Sequence, residues 1–441
     1  MTKTAILKAA WREPAAVLSA FADEPWAIGF SSGDREAEWS YVARAPDAVL
    51  SVGGDDPRDP FRALAELTGP YREPSPGGPP FQGGVAGLAA YELGERIERL
   101  GLPRLAPWPD LACARYPAVI AFDHRAREIV AVGQDESQAR AALSWLELEP
   151  RPAGAGAATF ASDDAGAYET KVDEVVARIA AGEIFQANIA RRWRGRLAAD
   201  ARPFDLFARL AQASPSPFAS YLRLPGQAVV SNSPERFLRV VARGGKLTVE
   251  TKPIKGTAPR GGDPVEDAAF AEALAASAKD RAENLMIVDL MRNDLARVCR
   301  PGSVTSRQLF QVQSFANVHH LVSTVTGRLA DGRSAVDLLR AAFPPGSITG
   351  APKVQAMKVI AELEAPRGPF FGSMFLLGFD GSLESNVLIR TAAFVEDAEG
   401  WRAEARAGAG IVADSLAVSE RRETDTKIAS LARALAAFPT A

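Results

Sequence analysis

The sequence predicts an α+β fold, in which strands and helices mix without a regular βαβ alternation. Four apolar residues within 172–179 recur at i, i+3, i+4 and i+7, which indicates an amphipathic helix. Residues 184–193 alternate instead between apolar and polar side chains, which is typical of a strand. Asp263-Pro264 is typical of a helix cap and first turn, and it predicts a helical region that runs toward Val298.

The strand predicted at 184–193 has two unlike faces. Because side chains alternate along a strand, Phe185, Ala187 and Ile189 share one face. Gln186 and Asn188 share the other face.

Composition and charge exclude several classes of protein. The 441 residues are 47% hydrophobic, which is enough for a large core. The chain has 51 basic and 54 acidic residues and lacks a long basic stripe, so nothing in its charge indicates a nucleic-acid partner. Cys113 and Cys299 are the only cysteines, which argues against a disulfide scaffold and fits a reducing cytoplasm. No signal peptide is recognised, and no apolar run approaches the roughly 20 residues that span a membrane.

Two stretches have the composition of connecting loops. Residues 69–84 are dense in Pro and Gly, and residues 149–166 are rich in Ala, Gly and Pro. The second stretch either divides the chain into an N-terminal part, 1–150, and a larger part, 165–434, or is a long surface loop of one body.

A predicted β-hairpin brings a carboxyl group and an amine together. The β-like runs on either side of Gly244-Gly245 indicate two strands joined by a two-residue turn. In that register Glu235 lies opposite Ile254 and beside Lys255.

The role of Lys255 has three interpretations: a nucleophile, an anion clamp, or a surface charge paired with Glu235. An ordinary lysine, with a pKa of about 10.4, is neutral only about one time in a thousand near pH 7.4. Burial or a nearby cation would lower that pKa and free the amine. Glu235 would need the opposite shift of its pKa, upward, to donate a proton.

Two pairs of carboxylates lie at helical spacing. Asp280 and Glu283 share a face of one predicted helix, and Glu420 and Glu423 share a face of another, with Lys427 one turn further on. Four acidic groups that converge from two helices would suit Mg²⁺, which prefers oxygen ligands. The alternative is two ordinary solvated helix faces.

Two glycine-containing segments and a histidine pair are further candidates for ligand contacts. Residues 346–353 lack the order of a Walker A loop, although their backbone amides could bind a carboxylate. Residues 408–410 are predicted to form a flexible turn where the backbone can approach an anion. His319 and His320 point to opposite sides if they lie on a strand, so one of them could face a site. Plain loops and structural histidines are the alternatives.

Eight segments, taken in order, resemble the large subunits of the chorismate-using enzymes. This family includes anthranilate synthase, aminodeoxychorismate synthase, isochorismate synthase and salicylate synthase. The segments are IFQANIARR, SPERFL, PIKGT, AENLMIVDLMRNDLARV, GSITGAPK, DGSLESNVLIRT, GAGI and SERRETDTK. The resemblance covers roughly residues 165–432 and is looser in the N-terminal part.

The resemblance implies a large two-lobed chorismate-binding fold, with antiparallel β-sheets packed as a central sandwich and helices on the outside. It also implies that Glu235 is the general acid for the departing 4-hydroxyl group, and that His320 is a catalytic-site residue. The residues that match the Mg²⁺ site are two ligands, Glu283 and Glu423, and two neighbours for water-mediated contacts, Asp280 and Glu420. The residues that match substrate-binding positions are Gly256, Thr257, Thr349, Arg390, Gly408, Ala409, Gly410 and Lys427.

Two positions separate the branches of this family. The water-adding members resemble one another in having a lysine base where this chain has Gln186, which disfavours isochorismate and salicylate synthases. Aminodeoxychorismate synthases typically have lysine at the position of Lys255, where anthranilate synthases typically have alanine. The resemblance therefore implies a synthase subunit that makes 4-amino-4-deoxychorismate from chorismate and ammonia, through a covalent intermediate on Lys255, toward p-aminobenzoate and folate. Anthranilate synthase component I and a non-catalytic chorismate-binding subunit are the alternatives.

The resemblance also implies a partner that supplies ammonia. Neither cysteine segment, LACAR or RVCRP, resembles the Gly-x-Cys-x-Gly turn of a glutaminase nucleophile, so a separate glutamine amidotransferase subunit is expected. Two departures from relatives concern substrate contacts. Phe370 stands where tyrosine is frequent, and residues 382–385 replace a Met-Asp-Thr-type stretch with Ser-Leu-Glu-Ser.

Overall fold

The computed structural model describes residues 4–32, 39–152, 154, 158–243, 245–315 and 318–436. This part of the chain forms two antiparallel β-sheets flanked by helices, which confirms the predicted α+β class. The strands are β1 Ala5–Ala10, β2 Ile28–Ser31, β3 Trp39–Ala43, β4 Ala48–Val52, β5 Gly84–Ala89, β6 Leu111–Tyr116, β7 Ala118–Asp123, β8 Glu128–Gly133, β9 Ala158–Ser162, β10 Gln186–Leu197, β11 Phe218–Leu224, β12 Gln227–Ser233, β13 Arg236–Arg243, β14 Lys246–Thr251, β15 Ile254–Pro259, β16 Thr305–Ser314, β17 Val318–Arg328, β18 Gly350–Ala351, β19 Ser373–Gly378, β20 Leu383–Asn386, β21 Thr391–Asp397 and β22 Gly400–Ile411. The helices are α1 Pro14–Ser19, α2 Pro60–Thr68, α3 Glu95–Glu98, α4 Glu136–Ser144, α5 Ala165–Ala180, α6 Pro203–Ala213, α7 Pro264–Ala276, α8 Ala278–Ala296, α9 Ala335–Ala342, α10 Lys353–Leu363 and α11 Ala417–Leu435.

Both sheets contain strands from the two halves of the chain. Within the described residues, the larger sheet has 12 strands in the order β1-β8-β7-β3-β2-β11-β12-β21-β22-β10-β18, with β9 beside β10. The smaller sheet has 10 strands in the order β15-β17-β14-β13-β20-β19-β5-β6-β4, with β16 beside β17. The pairs β2–β11 and β5–β19 join the two halves. The parts 1–150 and 165–434 therefore share continuous sheets, and the boundary between them stays a prediction.

An apolar core fills the space between the two sheets, as a sandwich requires. Val85 and Leu88 from the smaller sheet and Leu222 and Val229 from the larger one are all completely buried in it. A second core lies on the outer face of the larger sheet, beneath α1, α4, α6 and α11. Removal of this apolar surface from water is the main favourable term in folding.

In the described parts of the chain, no helix is both long enough and apolar enough to cross a membrane.

The helix and strand predicted between 172 and 193 both form. Val172 of α5 is completely buried against Ala187 and Ile189 of β10, so the apolar face of this strand is where the alternation placed it. Phe185 is the exception, because it precedes the strand and is 69% exposed. Its backbone N–H bonds to the carbonyl of Ala351, before the regular pairing of β10 begins.

The predicted hairpin has the expected register. Arg243 faces Lys246 and Arg239 faces Glu250, as a two-residue turn requires. Of the two turn glycines, Gly244 lies outside the described residues. The chain then leaves β14 and continues as β15, which pairs with β17 and carries Lys255.

The helical region predicted from Pro264 is interrupted once. Asp263 caps α7 as expected, because its carboxylate accepts hydrogen bonds from the amides of Val265 and Glu266. Ser277 then ends α7 and caps α8, since its hydroxyl accepts from the Asp280 amide at 3.2 Å. One predicted helix is therefore two, and the second carries the candidate carboxylates.

A completely buried ion pair ties β10 to the segment before α10. Arg367 is 1% exposed, and its guanidinium donates to the Glu364 carboxylate through Nε and Nη2, both at 3.0 Å. The remaining N–H groups donate to the carbonyls of Ile348 at 3.0 Å and Asn188 at 2.6 Å. The Glu364 carboxylate also accepts a hydrogen bond from the backbone amide of Ala190 at 2.6 Å, which holds β10 in place.

Replacing Arg367 with methionine should destabilise the protein strongly. The substitution leaves Glu364 buried and without its ionic partner, which costs about 3–5 kcal/mol. The matched control is Arg62→Met on α2, where an 81% exposed side chain pairs with Glu66 and about 0.5 kcal/mol is expected. Urea unfolding of both variants measures the difference. Equal shifts of the unfolding midpoint would contradict a structural role for the buried pair.

Candidate active site

One cavity of about 1210 Å³ collects most of the residues singled out from the sequence. Its walls come from the end of β12, from β15, β17 and β22, from the segment before α10, and from helices α6, α8 and α11. The predicted residues that line it are Glu235, Lys255, Gly256, Thr257, Asp280, Glu283, His320, Arg390, Gly408, Gly410, Glu420, Glu423 and Lys427. Elements far apart in sequence therefore converge on one cavity.

Thr349 and Ala409 are not among the described residues that line this cavity. The hydroxyl of Thr349 donates to the Pro345 carbonyl at 2.9 Å, and the side chain is completely buried. Ala409 faces the apolar cluster under α5 instead of the cavity. The prediction of a flexible turn at 408–410 is wrong, because these residues lie within β22 and pair with β10.

Glu235 is a carboxyl group held in a site with little water. It is 5% exposed at the start of the hairpin. Burial raises its pKa to about 7, although a hydrogen bond with Ser347, the charge of Lys255 and the amide of Ile254 act in the opposite direction. A carboxyl group with this pKa is partly protonated near neutral pH and can act as a general acid.

Lys255 lines the same cavity as Glu235, although it lies in β15, beyond the paired part of the hairpin. Its side chain is 14% exposed, so the surface-charge interpretation is wrong. Burial lowers the pKa of Lys255, and the positive charge of Lys427 adds to that effect. The Glu283 carboxylate, 4.0 Å from Lys255 Nζ, acts to raise the pKa of Lys255, but the net shift is still downward. A larger fraction of neutral amine is thus present than on an exposed lysine.

The two histidines of β17 point to opposite sides, as predicted. His319 contacts the Asp267 carboxylate at 2.9 Å, away from the cavity. His320 lines the cavity, with Nδ1 2.9 Å from the Thr257 hydroxyl. Burial lowers the pKa of His320 to about 4, and the charge of Arg390 contributes. His320 is therefore neutral at physiological pH and suited to hydrogen bonding with a ligand.

Arg390 brings a positive charge to the same wall. Its backbone has a left-handed conformation, with φ of 49°, which is unusual for a residue with a side chain. Burial lowers the pKa of its guanidinium. That group has no hydrogen bond or ion pair with any residue the structure describes. A buried, planar guanidinium whose N–H groups are not used by the described residues is suited to bind the carboxylate of a ligand.

Two glycines of β22 leave room for polar groups from β10 and β15. A side chain on Gly408 would begin 2.4 Å from the Asn188 amide oxygen. A side chain on Gly410 would begin 2.8 Å from Lys255 Nζ and 3.0 Å from Gln186 Nε2. Any larger residue would therefore displace these groups from the cavity.

Residues 29–433 match the family described as chorismate binding enzyme. The chain belongs to this family. It is 40% identical to aminodeoxychorismate synthase component 1 of Klebsiella aerogenes, over 97% of this chain and 98% of that protein. It is also 40% identical to anthranilate synthase component 1 of Thermus thermophilus, over 89% of this chain and 86% of that protein.

Solved structures have the same fold. Anthranilate synthase component I from Streptococcus pneumoniae superposes with a TM-score of 0.79 at 29% identity, covering 90% of this chain and 93% of that one. The menaquinone-specific isochorismate synthase from Escherichia coli superposes with a TM-score of 0.73 at 18% identity, covering 98% and 95%. The protein is a chorismate-binding enzyme, as its sequence resemblance implied.

The charges on the two main candidate metal ligands of this chorismate-binding enzyme depend on nearby lysines. Burial raises the pKa of Glu283, and the charge of Glu423 contributes, although Lys255 opposes both. Burial also acts to raise the pKa of Glu423, but Lys427 at 2.5 Å outweighs it and the net shift is downward. The carboxylates of Glu283 on α8 and Glu423 on α11 thus lie close enough to repel each other. Both therefore need a positive charge nearby to stay ionised.

The donor set fits magnesium by its chemistry. Asp280 lies beside Gly256, and Glu420 accepts a hydrogen bond from Ser415 at 2.7 Å. In the described ranges, no three His, Cys, Asp or Glu side chains are already grouped as a metal site. Mg²⁺ commonly uses one or two protein carboxylates and completes its shell with water and substrate oxygens. Glu283 and Glu423 could supply those two carboxylates.

The two departures from relatives lie behind the cavity wall. Phe370 is 1% exposed and packs against the Arg406 guanidinium, whose carbon is 5.2 Å from the ring centre. Its neighbour Phe371 lines the cavity. Residues 383–385 lie within β20 of the smaller sheet, and Glu384 there pairs with Arg236 at 2.7 Å. Both changes affect packing and ion pairs more directly than substrate contacts.

Asn188, Ser347 and Arg406 are three of the lining residues that had no role in the sequence-based site. The strand alternation placed Asn188 beside Gln186, and this shared face was the available signal. Ser347 lies in the segment first considered as a phosphate loop, and its hydroxyl hydrogen-bonds with Glu235. Arg406 is one of many arginines on strands and carried no distinguishing pattern.

The raised pKa of Glu235 should make stability depend on pH. A glutamate ionises near 4.5 when unfolded, whereas Glu235 ionises near 7 in the folded protein. Between these values the folded state binds more protons, so the free energy of unfolding falls as pH rises. Relative to Glu235→Gln, the wild type should lose up to about 3 kcal/mol between pH 4.5 and 8.

Urea unfolding of wild type and Glu235→Gln across this pH range measures the effect. The same substitution at Glu66, a 64% exposed side chain, should leave the pH dependence unchanged. Parallel curves for wild type and Glu235→Gln would show that Glu235 ionises normally.

Proposed function

We propose that this protein is the synthase subunit that converts chorismate and ammonia to 4-amino-4-deoxychorismate, toward p-aminobenzoate and folate. The observation that carries the proposal is Lys255, a buried amine with a lowered pKa that faces the same cavity as Glu235. Relatives named aminodeoxychorismate synthase component 1 at 40% and 38% identity support it.

The first step uses Lys255 and Glu235 as a nucleophile and an acid. The neutral amine of Lys255 attacks C2 of the chorismate ring, and the ring double bond shifts as the C4–O bond breaks. Glu235 donates its proton to the departing 4-hydroxyl group, which leaves as water. A covalent intermediate divides one difficult substitution into two easier ones.

The second step returns both ring double bonds to their original positions. Ammonia attacks C4, the C2–N bond to Lys255 breaks, and its electron pair returns to the lysine nitrogen. The net reaction is chorismate plus ammonia giving aminodeoxychorismate plus water. The product keeps its enolpyruvyl group, so release of pyruvate requires a separate lyase.

Charged and polar groups in the cavity are suited to a dicarboxylate. Arg390, with Thr257 and His320 close by, offers donors to one carboxylate. Glu283 and Glu423 would hold Mg²⁺, which supplies positive charge to a substrate carboxylate when bound. Lys427 also lines the cavity and donates to the Gly408 carbonyl at 2.9 Å, which keeps a further cation there.

Ammonia would come from a glutamine amidotransferase partner in the cytoplasm. The support is the sequence, in which neither cysteine lies in a glutaminase-like turn. Both cysteines are also buried, and burial raises the pKa of each thiol, to about 11 for Cys299, which is unsuited to a nucleophile.

Anthranilate synthase component I is the second candidate. It is favoured by the Thermus thermophilus relative, whose identity of 40% equals that of the aminodeoxychorismate synthase relative. Overall similarity therefore does not separate the two activities, and the nature of residue 255 is the stronger discriminator.

Incubation of the pure protein with chorismate, Mg²⁺ and an ammonium salt should yield aminodeoxychorismate. The charge on Glu283 and Glu423 predicts that a chelator reduces the rate by at least about tenfold, because the carboxylates then lack their cation. Chromatography with mass detection identifies the product. Anthranilate plus pyruvate as the main product would overturn the assignment in favour of the second candidate.

Replacing Lys255 with alanine should reduce formation of aminodeoxychorismate by at least about a hundredfold, because the nucleophile is lost. Lys252→Ala is the matched control, since Lys252 belongs to the same segment but does not line the described cavity. Intact-mass measurement with chorismate alone should detect an adduct of chorismate less water on the wild type and not on Lys255→Ala. Full activity of Lys255→Ala would remove the lysine from the mechanism.

A further inference from the structure

The chain crosses from the smaller sheet to the larger one between β20 and β21, and Arg390 is the last residue of that crossing. Ile389 and Arg390 both line the cavity. With φ of 49°, the backbone of Arg390 is left-handed, which is rare for a residue with a side chain. Such a conformation persists only where the surrounding structure imposes it, and it is concentrated at functional sites. The contacts that impose it here therefore bear on how Arg390 meets a ligand.

A pair of buried hydroxyl groups holds the backbone around Arg390. Ser231 of β12 and Thr391 of β21 lie opposite one another in the larger sheet, and each is 1% exposed. Their hydroxyl oxygens are hydrogen-bonded at 2.9 Å. Thr391 Oγ1 also donates to the Ile389 carbonyl at 3.0 Å. The backbone amide of Asn232 donates to the Arg390 carbonyl at 3.0 Å, so β12 holds this residue from two sides.

The hydrogen bond from Thr391 to Ile389 closes a short loop around Arg390. It keeps a carbonyl and a side chain two residues apart in contact. An extended strand advances about 3.3 Å per residue and would carry these two groups apart. The bent backbone at Arg390 is therefore coupled to the Thr391 hydroxyl, and the direction of the Arg390 side chain follows from that backbone.

We propose that the Ser231–Thr391 hydroxyl pair positions the Arg390 guanidinium to bind a substrate carboxylate. The inference rests on the proposed role of Arg390 as a carboxylate ligand and adds two positioning residues to it. Neither Ser231 nor Thr391 is among the described residues that line the cavity, so both act through Arg390. A guanidinium donates two parallel N–H bonds to a carboxylate only when the two planes are aligned. A change in the backbone of Arg390 therefore weakens substrate binding.

The proposed general acid is held by a separate contact. Ser233 lies two residues beyond Ser231 on β12, and its hydroxyl donates to the Val387 carbonyl at 2.6 Å. The backbone amide of Glu235 donates to the same Ser233 hydroxyl at 3.2 Å. Loss of the Thr391 hydroxyl leaves these bonds in place. The positioning role therefore predicts an effect on substrate binding and little effect on the chemical step.

Chorismate binding by variants of Thr391 tests this role. Thr391→Val keeps the shape of the side chain and removes the hydroxyl. Isothermal titration calorimetry with chorismate and Mg²⁺, with every variant made in a Lys255→Ala background, measures binding without adduct formation. Thr391→Val should raise Kd about tenfold, and Thr391→Ser, which retains the hydroxyl, should restore it to within about twofold. With Lys255 present and ammonium chloride added, Thr391→Val should raise KM for chorismate and keep kcat within about threefold.

A double-mutant cycle shows whether the hydroxyl acts through Arg390. Arg390→Met alone should raise Kd for chorismate more than Thr391→Val does, because the carboxylate ligand itself is lost. When Arg390 is already methionine, Thr391→Val should change Kd by less than about twofold, since the group that it positions is gone.

Thr326→Val is the matched control. Thr305 and Thr326 also lie opposite one another on two strands, with hydroxyl oxygens 3.1 Å apart, and neither lines the described cavity. This variant should keep Kd for chorismate within about twofold of its parent. If Thr391→Val does not fold, as judged by thermal unfolding, Ser231→Ala tests the same pair and should raise Kd at least about threefold.

The outcomes separate the positioning role from the overall function. An unchanged Kd in Thr391→Val overturns the role. An equal rise in Thr391→Ser also overturns it, because the hydroxyl would then not matter, and so do independent effects of Thr391 and Arg390 in the cycle. A wild type that makes no aminodeoxychorismate overturns the proposed function instead, while the binding measurements still decide the positioning role.

Discussion

The buried ion pair of Arg367 with Glu364 is the interaction on which the cavity wall depends. Its guanidinium reaches the carbonyls of Asn188 and Ile348, so one side chain joins β10 to the segment that carries Ser347. Charged groups that are removed from water are stable only when their hydrogen-bonding atoms all have partners. Both Arg367 and Glu364 make such hydrogen bonds to the backbone as well as to each other. The positions of the Asn188 amide and the Ser347 hydroxyl therefore follow from packing well outside the substrate space.

The same exclusion of water shifts the pKa values of the candidate catalytic groups toward their neutral forms. Burial raises the pKa of Glu235 and lowers those of Lys255 and His320, because each neutral form is favoured in a site with little water. An acid that keeps its proton can thus face an amine that has lost one. Desolvation in one cavity favours both the protonated carboxyl group and the neutral amine. Attraction between opposite charges alone would favour the ionised form of each group instead.

Local sequence patterns predicted those features that depend on neighbouring residues along the chain. The two-residue turn gave the correct hairpin register, and strand alternation placed His320 on the opposite side from His319. Predictions failed where a distant strand intervened. Gly408 and its neighbours form part of β22 because β10 pairs with them, although their composition is typical of a turn. Phe185 is exposed because regular pairing of β10 begins one residue later, at Gln186.

By itself, the sequence determined the α+β class, the family and the residue types available for chemistry, because these follow from periodicity and from ordered motifs. The tertiary structure decided which side chains share one water-poor cavity. It brought the carboxylates of α8 and α11 together, and left the Gln186 amide and the Asn188 amide oxygen without a hydrogen-bond partner among the described residues. Ionisation and hydrogen-bond satisfaction depend on every neighbour in three dimensions, and those neighbours come from strands and helices far apart along the chain.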